Sequence, residues 1–143
     1  MNIKPLLYTS EWLVSFQKEV AVVILLTQDT GDVICEYRKR CGMSQQEFGE
    51  MMELRRESIS RIENGSITPT FDFARKFINA MSLIEAIRVE RAQHKEIDVH
   101  FLENLAKKLG FNREELELMI KVAVESYDKK LLNIQKSIKE KEI

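Results

Sequence analysis

The stretch SQQEFGEMMELRRESISRIENG, residues 44–65, decides the fold of this chain. Apolar residues recur with helical spacing on both sides of a short break, which predicts two short helices joined by a tight turn. Ser44 can cap the first of these helices, and Glu47 three residues later completes a capping box. Gly49 lies inside that helix, where it costs about 1 kcal/mol relative to alanine. We therefore expect a neighbouring helix to approach its backbone closely.

The second helix of the pair is predicted from about Arg55 to Glu63. Ile59 and Ile62 share one helical face, so the opposite face is polar. Its outward residues are Arg56, Glu57, Ser60 and Arg61. Arginine can donate two hydrogen bonds to guanine, and glutamate can accept one from the amino group of cytosine. The pattern favours a helix that enters the major groove of DNA.

The patterns in the remainder of the chain predict further helices, and no two segments are evident as a pair of strands. The predicted helices outside the pair cover residues 10–26, 32–40, 71–81, 83–93, 99–109 and 113–139. Residues suited to cap the ends of these helices are Thr9 or Ser10, Gly42, Thr70, Ser82, Asp98, Gly110 and Asn112, the last with Glu115 in a second capping box. Helix-forming residues dominate between these signals, so the sequence predicts an all-α fold.

The first and last helices have apolar faces that need a partner. The first ends in VAVVILL, residues 20–26, which must be buried either on its own DNA-binding domain or, as we prefer, on a second subunit. The last has apolar residues at 116, 120, 123, 127, 131, 134 and 138, a coiled-coil-like spacing with one stutter. It either lies across its own domain or, again preferred, packs against a partner chain. We expect a homodimer formed by one or both helices.

The composition is typical of a globular protein, and the sequence shows no recognisable catalytic site. The chain has 143 residues, 44% of them hydrophobic, and a net charge of −1. Its longest apolar run has seven residues, too short to cross a membrane. Cys35 and Cys41 are too far apart on a helix to bond to each other, which fits a reducing cytoplasm. No residues are grouped as a catalytic site, so we expect no enzyme activity, cofactor or bound metal.

Residues 31–81 resemble the Cro/C1-type (Xre-like) helix-turn-helix domain. The resemblance is carried by an arginine in the first helix, the run Gly42-Met43-Ser44-Gln45, the small Gly49, the run SISRIENG at 58–65, and Pro69. The composition and flanking segments also resemble those of archaeal members. The resemblance implies a five-helix DNA-binding domain, which we place at 29–93. The apolar patterns outside it predict an N-terminal dimerisation helix at 1–28 and a C-terminal helical region at 94–143 for dimerisation or partner binding.

Carried over residue by residue, the resemblance assigns three sets of roles. Arg38 and Glu63 would form a structural salt bridge between the first and third helices of the domain. The residues that would contact DNA phosphates are Ser44, Gln45, Asn64 and Ser66. The residues that would read bases are Arg55, Arg56, Glu57, Ser60 and Arg61. The family function is sequence-specific transcriptional regulation, and the open alternative is an adaptor or antitoxin-like module that uses the same scaffold to bind protein.

One residue departs from the family pattern, and the charge of the motif bears on its affinity for DNA. Glu53 stands at the turn between the two helices, where glycine is common, so either a glutamate adopts a left-handed conformation at a cost of roughly 1 kcal/mol or the turn is altered. Residues 31–81 also carry eight acidic and eight basic side chains. A single unit should therefore attract DNA weakly, because non-specific affinity grows with the number of phosphates neutralised.

Overall fold

A computed structural model describes residues 11–94 and 96–141, which form seven helices and, within those ranges, no strand. The helices are α1 (Glu11–Leu26), α2 (Thr30–Arg40), α3 (Gln45–Met52), α4 (Arg56–Glu63), α5 (Phe71–Gln93), α6 (Val99–Leu109) and α7 (Arg113–Lys141). The predicted all-α fold is confirmed. The predicted cap at Thr9 or Ser10 falls outside the described residues.

Helix α5 is the centre of the fold, since α1, α3, α6 and α7 all pack against it. Its N-terminal half contributes Phe73 and Phe77 to an aromatic cluster with Tyr37 of α2 and Phe48 of α3. Phe48 meets both α5 rings edge to face, an arrangement that adds about 0.5–1.5 kcal/mol per pair beyond burial. This cluster seats the helix-turn-helix pair on the core.

The predicted break at Ser82 is wrong, because α5 runs through it without interruption from Phe71 to Gln93. Ser82 is fully buried, and its hydroxyl donates a hydrogen bond to the carbonyl oxygen of Ile78 at 2.7 Å. A serine satisfied in this way within its own helix has no need to cap a new one. The predicted fourth and fifth helices are therefore one helix, whose second half also contributes buried residues to the core.

The other capping residues predicted from the sequence are confirmed in the structure. At the start of four helices, a side-chain oxygen of the capping residue accepts a hydrogen bond from the backbone N–H three residues later. The four capping residues are Ser44, Thr70, Asp98 and Asn112. Glu47 and Glu115 close the two capping boxes by accepting the N–H of Ser44 and Asn112, each at 3.0 Å. Gly42 and Gly110 adopt the left-handed conformation at the ends of α2 and α6.

Helix α1 packs on its own chain through one face, which is the first of the two alternatives given for its burial. Burial of its other apolar residues on a second subunit stays a prediction. Leu13, Val20 and Ile24 face α5 and α2 and are almost completely buried. The opposite face remains exposed at its C-terminal end, where Leu25 and Leu26 are the most open residues. One apolar face of α1 is therefore buried within its own domain, and a second apolar face remains exposed.

Helix α7 combines both alternatives that the sequence left open. Its first half packs across α3, α5 and α6 through buried residues that include Leu116, Met119 and Ala123. Beyond Tyr127 every described residue of α7 is exposed, although Leu131, Ile134 and Ile138 continue its apolar spacing. The second half therefore projects from the domain.

Candidate nucleic-acid interface

The helix-turn-helix pair is braced from below by Arg38 and Glu63, which the structure brings together. The Arg38 guanidinium donates from Nε to Glu63 Oε2 at 2.7 Å and from Nη2 to Oε1 at 2.9 Å. Its Nη1 donates to the carbonyl oxygen of Met43 at 2.8 Å. Both residues are 8% exposed. One bidentate pair therefore joins the end of α2 to the end of α4 and to the loop before α3.

The brace determines the charge state of its members. Burial on its own would raise the pKa of the Glu63 carboxyl, but hydrogen bonds from Arg38 and Gln45 outweigh it, so the pKa lies below its usual value. The hydrogen bonds to Glu63 likewise raise the pKa of Arg38 against the opposing effect of burial. The pair is ionised at neutral pH, as a doubly hydrogen-bonded ion pair requires.

The turn between α3 and α4 is held by a glycine and a left-handed glutamate. A Cβ on Gly49 would lie 2.7 Å from the carbonyl oxygen of Leu54, so α3 has no room for alanine there. The close neighbour is the backbone of the turn, not another helix as the sequence suggested. Glu53 adopts φ 57° and ψ 39°, so the first of the two predicted alternatives is correct.

A second close approach fixes the other end of α4, and sequence reasoning missed it. A Cβ on Gly31 would lie 2.3 Å from the carbonyl oxygen of Ile62 and 2.7 Å from that of Glu63. Helix α2 begins at Thr30, two residues earlier than predicted, and includes this glycine in its first turn. The sequence signal was a glycine next to a turn, which fits a loop equally well.

These contacts leave one face of α4 open to solvent. Ile59 and Ile62 are buried beneath the helix. The exposed side chains on the other side are Arg55, Arg56, Glu57 and Arg61, with Ser60 partly exposed among them. Arg55 occupies the N-cap position in an extended conformation, so the described helix starts at Arg56. The five predicted base-reading residues thus share one accessible surface, held on a rigid support.

The four predicted phosphate-contacting residues lie at helix ends beside this surface. Ser44 caps α3, and its hydroxyl oxygen accepts a hydrogen bond from the backbone N–H of Glu47. Gln45 donates one side-chain amide hydrogen to Glu63 Oε1 at 3.2 Å. Its second amide hydrogen and its backbone N–H are left to donate to another group. At the end of α4, Asn64 Oδ1 accepts from the Ser66 N–H at 2.9 Å and from its hydroxyl at 2.6 Å.

Lys76 is a further residue that the sequence did not indicate. Its Nζ lies 3.7 Å from Glu53 Oε2 in the turn and 3.7 Å from the buried Glu115 Oε2 at the start of α7. Glu115 Oε2 makes no hydrogen bond, so Lys76 supplies its compensating charge. The contact links α7 to the turn of the DNA-binding motif through α5.

Within the described ranges, no three histidine, cysteine or acidic residues are arranged to hold a metal ion. Cys35 and Cys41 are free thiols. In the same ranges no helix combines the length and the apolarity needed to cross a membrane.

The fold and this surface are those of a helix-turn-helix domain. Residues 35–83 match the family model described as Helix-turn-helix, which spans α3, α4 and parts of α2 and α5. This part of the chain is therefore a Cro/C1-type helix-turn-helix domain, and such a domain supports a DNA-binding transcription regulator. Comparison of the chain with curated proteins and with solved structures gave no match.

Proposed function

We propose that the chain is a sequence-specific transcription regulator that binds operator DNA as a homodimer, with α4 in the major groove. The observation that carries the proposal is the polar outer face of α4. Its charged residues are free of ion pairs with the rest of the described chain, while the opposite face is fixed by burial and by the Arg38–Glu63 brace. A rigid helix with uncommitted hydrogen-bonding groups is what base recognition requires.

We assign base recognition to the two turns of α4 that are exposed. Arg56 and Arg61 are the candidates for bidentate contacts to guanine, and Glu57 for accepting from a cytosine amino group. Arg55 and Ser60 complete the surface at its two edges. Arg55 precedes the first helical turn, so its side chain is able to reach a base or a phosphate.

Phosphate contacts are proposed at the ends of α3 and α4. The first N–H groups of α3 have no partner within the helix, and the helix dipole favours an anion there. Gln45 and Ser44 are at this position, and Gln45 retains an amide hydrogen for a phosphate oxygen. Asn64 and Ser66 would touch the backbone beyond the groove, with the Asn64 amide nitrogen as the donor, since the Ser66 hydroxyl already donates to Asn64 Oδ1.

Pairing of two chains is supported by charge and by unused apolar surface. Residues 31–81, which include the helix-turn-helix pair, have as many acidic as basic residues, so one copy gains little from phosphate attraction. Exposed aliphatic faces remain on α1 at Leu25 and Leu26 and on α7 at Leu131 and Ile134. Exposed apolar residues of this kind are found at sites where proteins associate.

Selection of binding sites from random duplex DNA tests the function. The expected result is enrichment of a roughly palindromic site whose half-sites are about 10 base pairs apart, or a multiple of that spacing. Light scattering should give twice the chain mass at micromolar concentration. Absence of enrichment at low salt would contradict the regulator function and favour the adaptor module, and a monomeric mass would contradict the homodimer.

A further inference from the structure

The projecting half of α7 concentrates positive charge. Residues 129–141 carry five lysines and one glutamate, whereas the whole chain has a net charge of −1. Lys129, Lys136 and Lys139 are exposed and form no ion pair within the described residues. Their spacing of seven and three residues places them on one face of the helix.

Most apolar residues of the same segment lie on the other side of the helix. At 100° per residue, Lys129 and Lys136 lie roughly opposite Leu131, Ile134 and Ile138, while the exposed Leu132 and Glu140 fall on the lysine side. The segment is therefore amphipathic, and its charged and apolar faces are able to serve different partners. An apolar contact with protein would leave the lysines in solvent.

The basic segment begins at the corner of the domain that presents its phosphate anchor. Lys130 Nζ donates to the carbonyl oxygen of Arg40 at 3.2 Å. The Ser126 hydroxyl lies 3.2 Å from the position that a Cβ on Gly42 would occupy. Gly42 precedes Ser44, the cap of α3, by two residues. Helix α7 therefore leaves the domain beside the N-terminus of α3.

The start of the segment is also fixed to the core. Asp128 Oδ1 accepts from Arg91 Nη2 at 3.1 Å, which joins α7 to α5 just before the lysines begin. About 13 residues of helix then extend for roughly 20 Å. Lysine side chains on a helix anchored in this way are presented in a defined direction rather than on a flexible tail.

We propose that Lys129, Lys136 and Lys139 form a second DNA-contacting surface, which binds backbone phosphates next to those held by α3. The inference rests on the proposed function and names the source of electrostatic affinity that the charge-balanced helix-turn-helix unit lacks. Duplex DNA is the polyanion that this class of protein binds, and lysine is suited to phosphate as a mobile point charge. Such contacts add affinity without adding sequence preference.

The salt dependence of DNA binding by the full-length chain tests the proposal. The triple variant Lys129→Gln, Lys136→Gln, Lys139→Gln is compared with the control Lys18→Gln, Lys107→Gln, Lys121→Gln, which removes the same charge from exposed positions on α1, α6 and the first half of α7. Glutamine preserves helix propensity. Fluorescence anisotropy with a selected site gives Kd between about 50 and 300 mM KCl, a range over which phosphate contacts change affinity strongly.

Each lost phosphate contact should reduce the slope of log K against log[KCl] by about 0.9. We expect the α7 variant to lose up to about 2.7 in slope per protomer, with unchanged preference for the selected site over a scrambled one. The control variant should keep the wild-type slope. Circular dichroism and light scattering of both variants verify that fold and mass are retained.

Three outcomes would overturn the proposal, and they separate it from the proposed function. An α7 variant with the slope of the control overturns the inference alone. A variant that loses the dimer while its slope per protomer is unchanged shows that the lysines act in chain pairing, which also overturns it. No DNA binding by the wild type at low salt overturns the proposed function and the inference together.

Discussion

Removal of the Arg38 charge is the most informative perturbation of the fold. Arg38→Met keeps an unbranched apolar stem but leaves the Glu63 carboxylate buried without its cation. It also removes the donor that satisfies the carbonyl oxygen of Met43, a contact of 2.8 Å. The ends of α2 and α4 would then be joined by packing alone.

The expected cost follows from the burial of both partners. Breaking one side of a buried ion pair costs about 3–5 kcal/mol, because the remaining charge has no compensation. The free energy of unfolding should fall by that amount in urea titrations followed by circular dichroism at pH 7. Arg38→Met with Glu63→Met removes both charges and should recover most of the loss.

The pH dependence of the two proteins supplies an internal check. In the wild type the pKa of Glu63 is below its unfolded value near 4.5, so the pair stabilises the fold above that pH and the stabilisation is lost as the pH falls through the folded pKa. In Arg38→Met, burial should raise the pKa of Glu63, so lowering the pH should protonate the buried carboxylate and remove its destabilising charge. The difference in the free energy of unfolding between the wild type and Arg38→Met should therefore become smaller from pH 7 to pH 4.5. A gap below about 1 kcal/mol at pH 7, or one that widens in acid, would refute the argument.

Three further predictions concern the turn and the thiols. Gly49→Ala should lower the free energy of unfolding by about 1–3 kcal/mol in urea, since overlap with the Leu54 carbonyl outweighs the gain in helix propensity; equal or higher stability would contradict the close approach. Glu53→Gly should raise stability by about 0.5–1 kcal/mol, because relief of left-handed strain exceeds the entropy cost of glycine, and a lower melting temperature would argue against strain at this turn. Burial raises the pKa of the Cys41 thiol to about 11, so Ellman's reagent at pH 8 should modify Cys35 first and Cys41 only on unfolding; equal rates in the folded protein would contradict the burial.

Local signals in the sequence were sufficient where a single helix end was concerned. The capping boxes at Ser44 and Asn112 and the left-handed ends at Gly42 and Gly110 each depend on residues within one turn. Ser82 shows the limit of such signals, because a serine hydroxyl satisfies either a new helix start or the carbonyl of its own preceding turn. The residues on both sides of Ser82 are apolar and buried, so an uninterrupted helix keeps them in the core.

Long-range contacts of the motif were less accessible from the chain alone. The two backbones that meet at Gly31 are about 30 residues apart, and nothing near the glycine indicates its partner. The apolar residues of α1 predicted that the helix would be buried, but they did not indicate its packing partner, which is mainly α5. The five outward residues of α4 were predictable because Ile59 and Ile62 define the helix face by themselves.

We propose that α4 recognises DNA through Arg56 and Arg61. Fluorescence anisotropy with a selected operator compares the wild type with Arg56→Ala, Arg61→Ala and with the control Lys107→Ala, Arg113→Ala, whose positions are exposed on α6 and α7. Each arginine that contacts a base pair should contribute about 1–3 kcal/mol, so the double variant should bind at least about 30-fold more weakly and lose its preference over scrambled DNA. Retention of operator affinity and preference by that variant, at the level of the control, would contradict the account.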